Sequence, residues 1–161
     1  MDKLTRKWLK QRVRIVSREI KKTGLMNIEK LADNFKFDKR RISHPEECEP
    51  FYKLGKFCHD GDNIDVYCLL CSCPNYDNSV NERGCLTGNP CGKGYYYNRI
   101  NIGMEEIWDC SDCNYPHTRK ETINALSLIK EYVFNGDDLN KFLWDLFTGK
   151  LIDREQASSE D

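Results

Sequence analysis

The stretch Tyr67-Cys68-Leu69-Leu70-Cys71-Ser72-Cys73-Pro74-Asn75-Tyr76 holds three cysteines within six residues. A Cys-x-x-Cys turn aims two thiolates at one ion, and a second such turn completes a tetrahedron. That second turn is Cys110-Ser111-Asp112-Cys113, with thirty-eight residues between Cys71 and Cys110. Further candidates surround the two turns. Cys73 lies two residues past Cys71, Cys91 precedes a glycine, Cys58 and His59 are adjacent, Cys48 lies ten residues before Cys58, and His117 follows Cys113 by four. Eight cysteines and two histidines are therefore candidate ligands: Cys68, Cys71, Cys110, Cys113, Cys73, Cys91, Cys58, Cys48, His117 and His59. Each tetrahedral ion takes four ligands, so the set accommodates one or two ions with ligands to spare, and the pairing stays open. Thiolates are soft ligands, which suits zinc in a ribbon-like site. The alternative is a four-iron cluster, because Cys68, Cys71 and Cys73 followed by Pro74 resemble a cluster-binding loop. His59 fits either a ligand or a residue that orients one through a hydrogen bond. Cys85 and His44 are expected to be surface groups outside the set.

All nine cysteines lie between residues 48 and 117. An odd count and the lack of a secretory signal after Met1-Asp2-Lys3 weigh against a disulfide framework and point to a cytoplasmic protein. No apolar run approaches the roughly 18 residues that span a bilayer, so no membrane partner is expected. Hydrophobic residues make up 39% of the 161 positions, a modest share that favours a metal staple over a large core.

On either side of the cysteine-rich stretch the apolar residues fall at helical spacing. Leu9, Val13, Val16 and Ile20 form one stripe of a helix over residues 4–22, with Lys3, Lys7, Lys10, Arg14, Arg18 and Lys21 opposite and Gly24 as its stop. Asn27 is placed to cap a short helix over 28–35, and Asp38 a further turn ending before Pro45. After His117, Thr118 or Thr122 caps a helix running to about Phe134, Asn135-Gly136 breaks it, and Asp137 caps a last helix ended by Gly149. Between the helical ends, Tyr95-Tyr96-Tyr97 and Glu106-Ile107-Trp108 are the short-strand candidates. These readings predict an α+β fold: an irregular, metal-stapled cysteine-rich core with short strands, flanked by N-terminal and C-terminal helices. The expected divisions are a basic helical arm over 1–45, the metal-binding core over 46–117, a C-terminal helical pair over 118–152 that packs on the core, and a disordered tail over 153–161.

The cysteine stretch resembles the cysteine-rich small domain family of archaea and bacteria. The residues that carry the resemblance are Cys48-Glu49 with Phe51, Cys58-His59, Tyr67 to Tyr76, Cys91-Gly92, and Asp109-Cys110-Ser111-Asp112-Cys113-Asn114-Tyr115-Pro116-His117. It covers residues 48–117. The spacing from Cys48 to Cys58 is longer than the family's, and Lys93 stands where the family has a second glycine. The resemblance implies a metal-binding domain and no particular activity.

Charge is divided unevenly along the chain. Residues 1–44 hold 14 Lys/Arg against 5 Asp/Glu, a surplus of +9, whereas the remainder holds 11 against 21, a deficit of −10. A basic arm of this kind fits nucleic acid or an acidic protein, or packs on the protein's own acidic body. Residues 26–44 also fit a helix-turn-helix, with Lys39, Arg40 and Arg41 facing a groove and Ile42 buried. The candidate nucleic-acid contacts are thus Lys7, Lys10, Arg14, Arg18, Lys39, Arg40 and Arg41. The leading reading is a non-enzymatic zinc module that binds a partner. An iron–sulfur protein with a redox or catalytic role is the second, and a metal- or redox-responsive helix-turn-helix regulator is the third. No catalytic triad, zinc-protease helix or phosphate loop is present to support an enzyme.

Overall fold

The computed structural model describes residues 3–48, 65–71, 73–74, 115–136 and 138–151, together with the backbone of 76–77, 84–85, 96–97 and 107–108. Helix α1, Lys3–Thr23, contains no glycine or proline and carries Lys21 and Lys22 in its last turn, where cations complement the helix dipole. It ends at Gly24, whose φ of 79° is the left-handed conformation that glycine adopts without a Cβ penalty. The Gly24 N–H closes the helix by donating to the Ile20 carbonyl at 2.7 Å. Helix α2, Ile28–Asp33, starts at Asn27, whose side chain accepts from the Lys30 N–H at 2.9 Å. Helix α3, Phe37–Ser43, follows after a three-residue turn and leads into a 3-10 turn, Pro45–Cys48. Helix α4, Arg119–Phe134, is capped by Thr118 accepting from the Glu121 N–H at 3.2 Å. Helix α5, Leu139–Phe147, is capped by Asp138 accepting from the Lys141 N–H at 2.8 Å.

One apolar cluster unites these helices. α1 packs against α5, α2 against α4, and α4 against α5. Leu9, Val16, Leu31, Phe35, Leu126, Ile129, Leu143 and Phe147 are fully buried within it, so the two ends of the chain share a core. Leu69 and Leu70, the two inner residues of the first Cys-x-x-Cys turn, belong to the same cluster. Burial of each is worth about 1.5–3 kcal/mol, enough to dock the turn on the helices. A second, small cluster of Phe37, Val66 and Cys68, with Cys48 and Cys71 packed against it, lies on the other side of that turn.

The expected α+β class is overturned. Apart from two-residue antiparallel ladders, Tyr76–Asp77 with Gly84–Cys85 and Tyr96–Tyr97 with Ile107–Trp108, the described residues are 72% helical. The physical reason is where the apolar residues sit. The stripes of the flanking helices meet one another instead of wrapping a cysteine-rich centre, and helix packing sets the class.

Local expectations are also corrected. The second helix ends at Asp33, not Phe35, because Phe35 turns into the core. Helix α3 begins two residues earlier than expected, with Lys36 in the capping position and no side-chain cap, so Asp38 lies inside the first turn. Asp138 caps the last helix, in place of the expected Asp137, which lies outside the described residues, as does the tail from 152 onward. Ile42 is 77% exposed where a helix-turn-helix would bury it.

Candidate metal centre

Backbone hydrogen bonds fix the segment Val66–Cys68 before any side chain contributes. The Phe37 N–H donates to the Val66 carbonyl and the Cys68 N–H to the Phe35 carbonyl, each at 2.7 Å, so Lys36 and Tyr67 form an antiparallel bridge. The Tyr67 N–H donates to the His117 carbonyl at 2.8 Å, which ties the segment to the 3-10 turn Tyr115–His117. With Leu69 and Leu70 held in the helical core, Cys68 and Cys71 emerge on the same side of the turn.

The two thiols interact. A hydrogen bond from Cys68 holds the Cys71 thiol at about 7, below its usual 9.0; the charges of Arg12 and Arg40 help, against burial and the charge of Glu47. Cys48, on the 3-10 turn after α3, is half-buried against the same small cluster, and Cys73 is half-buried two residues beyond Cys71. None of the four is in a disulfide. His117 is 3% exposed, and its Nδ1 lies 3.1 Å from the Tyr67 carbonyl. A ring whose Nδ1–H donates there keeps its lone pair on Nε2, the arrangement that metal-binding histidines adopt. The thiols of Cys68 and Cys71 are thus brought together, with Cys48 packed on the same small cluster and His117 tied to Tyr67; among the described residues no third Cys or His completes a group whose ligand atoms all lie within 4.8 Å of one another. Cys58, His59, Cys91, Cys110 and Cys113 lie outside the described residues.

Two buried arginines stand beside this segment. Arg40 pairs with Glu19 at 2.9 Å and with Glu47, and Glu47 also pairs with the half-exposed Arg18 at 2.7 Å. Burial pushes the Glu19 carboxyl up, but the hydrogen bond and charge of Arg40 outweigh it and hold the group below its ordinary value. His44, Glu46 and Glu47 also bring ligand atoms within 4.8 Å of one another, yet Glu47 is already engaged by the two arginines. The second buried arginine, Arg12, donates from Nη2 to the Cys68 carbonyl. Sequence reading passed over Arg12. The signal available was a charged residue three positions after Leu9 and four before Val16, inside the apolar stripe of α1.

The nucleic-acid candidates divide. Lys7, Lys10 and Arg14 are exposed on one side of α1. Arg41 pairs with Asp38 at 3.2 Å, and Lys39 donates to the Asn34 side chain. Arg40 is withdrawn as a groove contact: it is 2% exposed, and its guanidinium is engaged by two carboxylates. The helix-turn-helix reading fails with it, since the seven-residue α3 directs Arg40 inward and Ile42 outward. No helix of the described residues is long and apolar enough to cross a membrane. No known family matches the chain, and no curated protein or solved structure matches it either.

Proposed function

We propose that the protein is a zinc-stapled interaction module, in which the metal fastens the cysteine-rich stretch to a helical body and α1 offers a basic face to nucleic acid. One observation carries the metal reading: the Cys68–Cys71 turn is seated with both thiols together, the Cys71 thiol lowered to about 7, and Cys48 packed alongside. That donor set fits zinc, which takes thiolates and deprotonates them on binding. Cys68 and Cys71 are the described residues that would hold it. Cys110 and Cys113 supply the matching turn in the sequence. Zinc, when bound, supplies a fixed cross-link with no redox chemistry of its own. The motif resemblance over residues 48–117 points the same way. The deciding experiment is anaerobic purification followed by elemental analysis. One or two zinc ions per chain in a colourless protein is the expected outcome. Brown protein with iron and labile sulfide would replace zinc with the cluster reading, and a folded protein with neither metal would end both.

Support for the partner comes from Lys7, Lys10 and Arg14, which are exposed and form no ion pair among the described residues. Four further basic groups of the chain's first third, Arg12, Arg18, Arg40 and Arg41, are engaged within the protein. The face is therefore α1 alone, and it reads backbone phosphates rather than bases. Binding to a duplex or single-stranded probe should weaken steeply with salt. Undetectable binding at low salt would remove nucleic acid and leave an acidic protein as the partner.

A further inference from the structure

Among the described residues, the buried acidic and basic residues are Arg12, Glu19, Arg40, His117 and Asp145. Four of them are accounted for. Arg40 and Glu19 pair with each other, Asp145 accepts from Lys141 at 3.0 Å, and His117 rests on the Tyr67 carbonyl. Arg12 is the exception. It is 3% exposed, no carboxylate among the described residues pairs with it, its hydrogen bond goes to a neutral carbonyl, and its Nε has no hydrogen-bond partner there. The surrounding charges do not absorb it, because Arg18 and Arg40 already balance Glu47 and Glu19. A guanidinium cannot shed its proton to escape burial, so an anion has to sit near it. Its Nη2 points at the Cys68 carbonyl, the first residue of the proposed zinc turn.

We infer that Arg12 is the built-in counter-charge of an anionic, thiolate-rich metal centre, held against it through the Cys68 carbonyl. The inference rests on the zinc reading and adds the class of ligand set. Two thiolates and two neutral imidazoles around a divalent ion leave no charge, and Arg12 would then face nothing. Three or four thiolates leave one or two negative charges, which a buried guanidinium neutralises. At least one further thiolate therefore joins Cys68 and Cys71. Each ligating thiol passes its proton to solvent as the ion binds, so the negative charge appears as the metal arrives. Arg12 acts through the ligands as a positioning residue, coupling metal uptake to the docking of α1 on the turn.

The test uses the full chain with zinc or cobalt(II) as the probe. Zinc affinity is read by competition with a chromophoric chelator, and melting temperature is read with zinc and with excess chelator. Arg12→Gln should bind zinc about tenfold or more weakly, in line with other groups that support metal ligands. It should also lose more melting temperature with zinc than in chelator, while Arg12→Lys keeps most of the affinity. Equal losses in both conditions, with affinity within about twofold of the wild type, would make Arg12 a packing residue only and overturn the inference. Where Arg12→Gln does not fold, the wild-type chain decides: the intensity of thiolate-to-cobalt charge transfer counts the sulfur ligands. Three or four support the inference, and two overturn it. A wild-type chain that binds neither ion fails the zinc reading itself, whereas a metal-binding chain indifferent to Arg12 fails this inference alone.

Discussion

At the scale of single residues, the sulfur chemistry is set by neighbours. A thiol at about 7 is half thiolate at neutral pH, and the thiolate is the nucleophile. In chelator, Cys71 should therefore alkylate with a midpoint near pH 7, well below the ordinary 9.0. Zinc should protect it, as peptide mapping after a short iodoacetamide pulse would show. A midpoint unchanged from a free cysteine would remove the thiol pairing. The Arg40 cluster makes a second prediction. Arg40→Met would leave Glu19 buried without its cation and Glu47 with only the half-exposed Arg18, a loss of about 3–5 kcal/mol in urea unfolding at neutral pH. The pH dependence follows from the direction of the Glu19 shift. Its carboxyl lies below 4.5 in the folded protein, so its contribution is complete above 4.5 and is lost as pH falls through the lowered value. In Arg40→Met the largest lowering influences are gone and burial is opposed mainly by the charge of Lys22 and the Thr23 hydrogen bond, so the carboxyl rises and the variant should regain part of its deficit on acidification. Neither pairing was legible from the sequence, because Glu19, Arg40 and Glu47 are brought together by the return of the chain after α3 and follow no periodic pattern.

At the scale of elements, the helices were the readable part. Leu9, Val13, Val16 and Ile20 are all buried as their spacing requires, and Asn27, Thr118, Gly24 and Gly149 punctuate the helices where their chemistry suits. One misreading falls at a boundary where two residues of like chemistry adjoin. Asp137 and Asp138 are both competent caps, and only the backbone φ and ψ choose between them. Asp138→Ala should cost about 1 kcal/mol by loss of the bond to the Lys141 N–H, measured by thermal unfolding. The same limit explains Arg40: a short basic run at the end of a small helix states its charge, not its direction. For α1 the direction is given by the stripe, which leaves Lys7, Lys10 and Arg14 outside. Lys10→Glu with Arg14→Glu should weaken nucleic-acid binding and reduce the salt dependence by about two phosphate contacts, with little change in melting temperature. Binding unaffected by this double reversal would move the partner off α1.

For the molecule as a whole, the question is which part depends on the metal. A cysteine stretch with few apolar residues suggests a fold that collapses without its ion, and Leu69 and Leu70 show why the answer divides. They lie inside the helical cluster, while the thiols on either side of them belong to the small cluster with Phe37 and Val66. The large cluster is closed by α1, α2, α4 and α5 and includes side chains from both ends of the chain. Its stability comes from apolar burial, which a chelator does not touch. On the proposed reading, what zinc would add is a constraint on the Cys68–Cys71 turn. Removing zinc should thus leave most of the helical circular dichroism intact and lower the melting temperature. Amide exchange should accelerate around Val66–Cys71 while α4 and α5 stay protected. Complete loss of helical signal on chelation would mean that the two clusters form one cooperative unit, with the ion holding the helices as well as the turn. Retention of exchange protection at Cys68, whose N–H is bound to the Phe35 carbonyl, would mean instead that backbone pairing seats the turn without the ion.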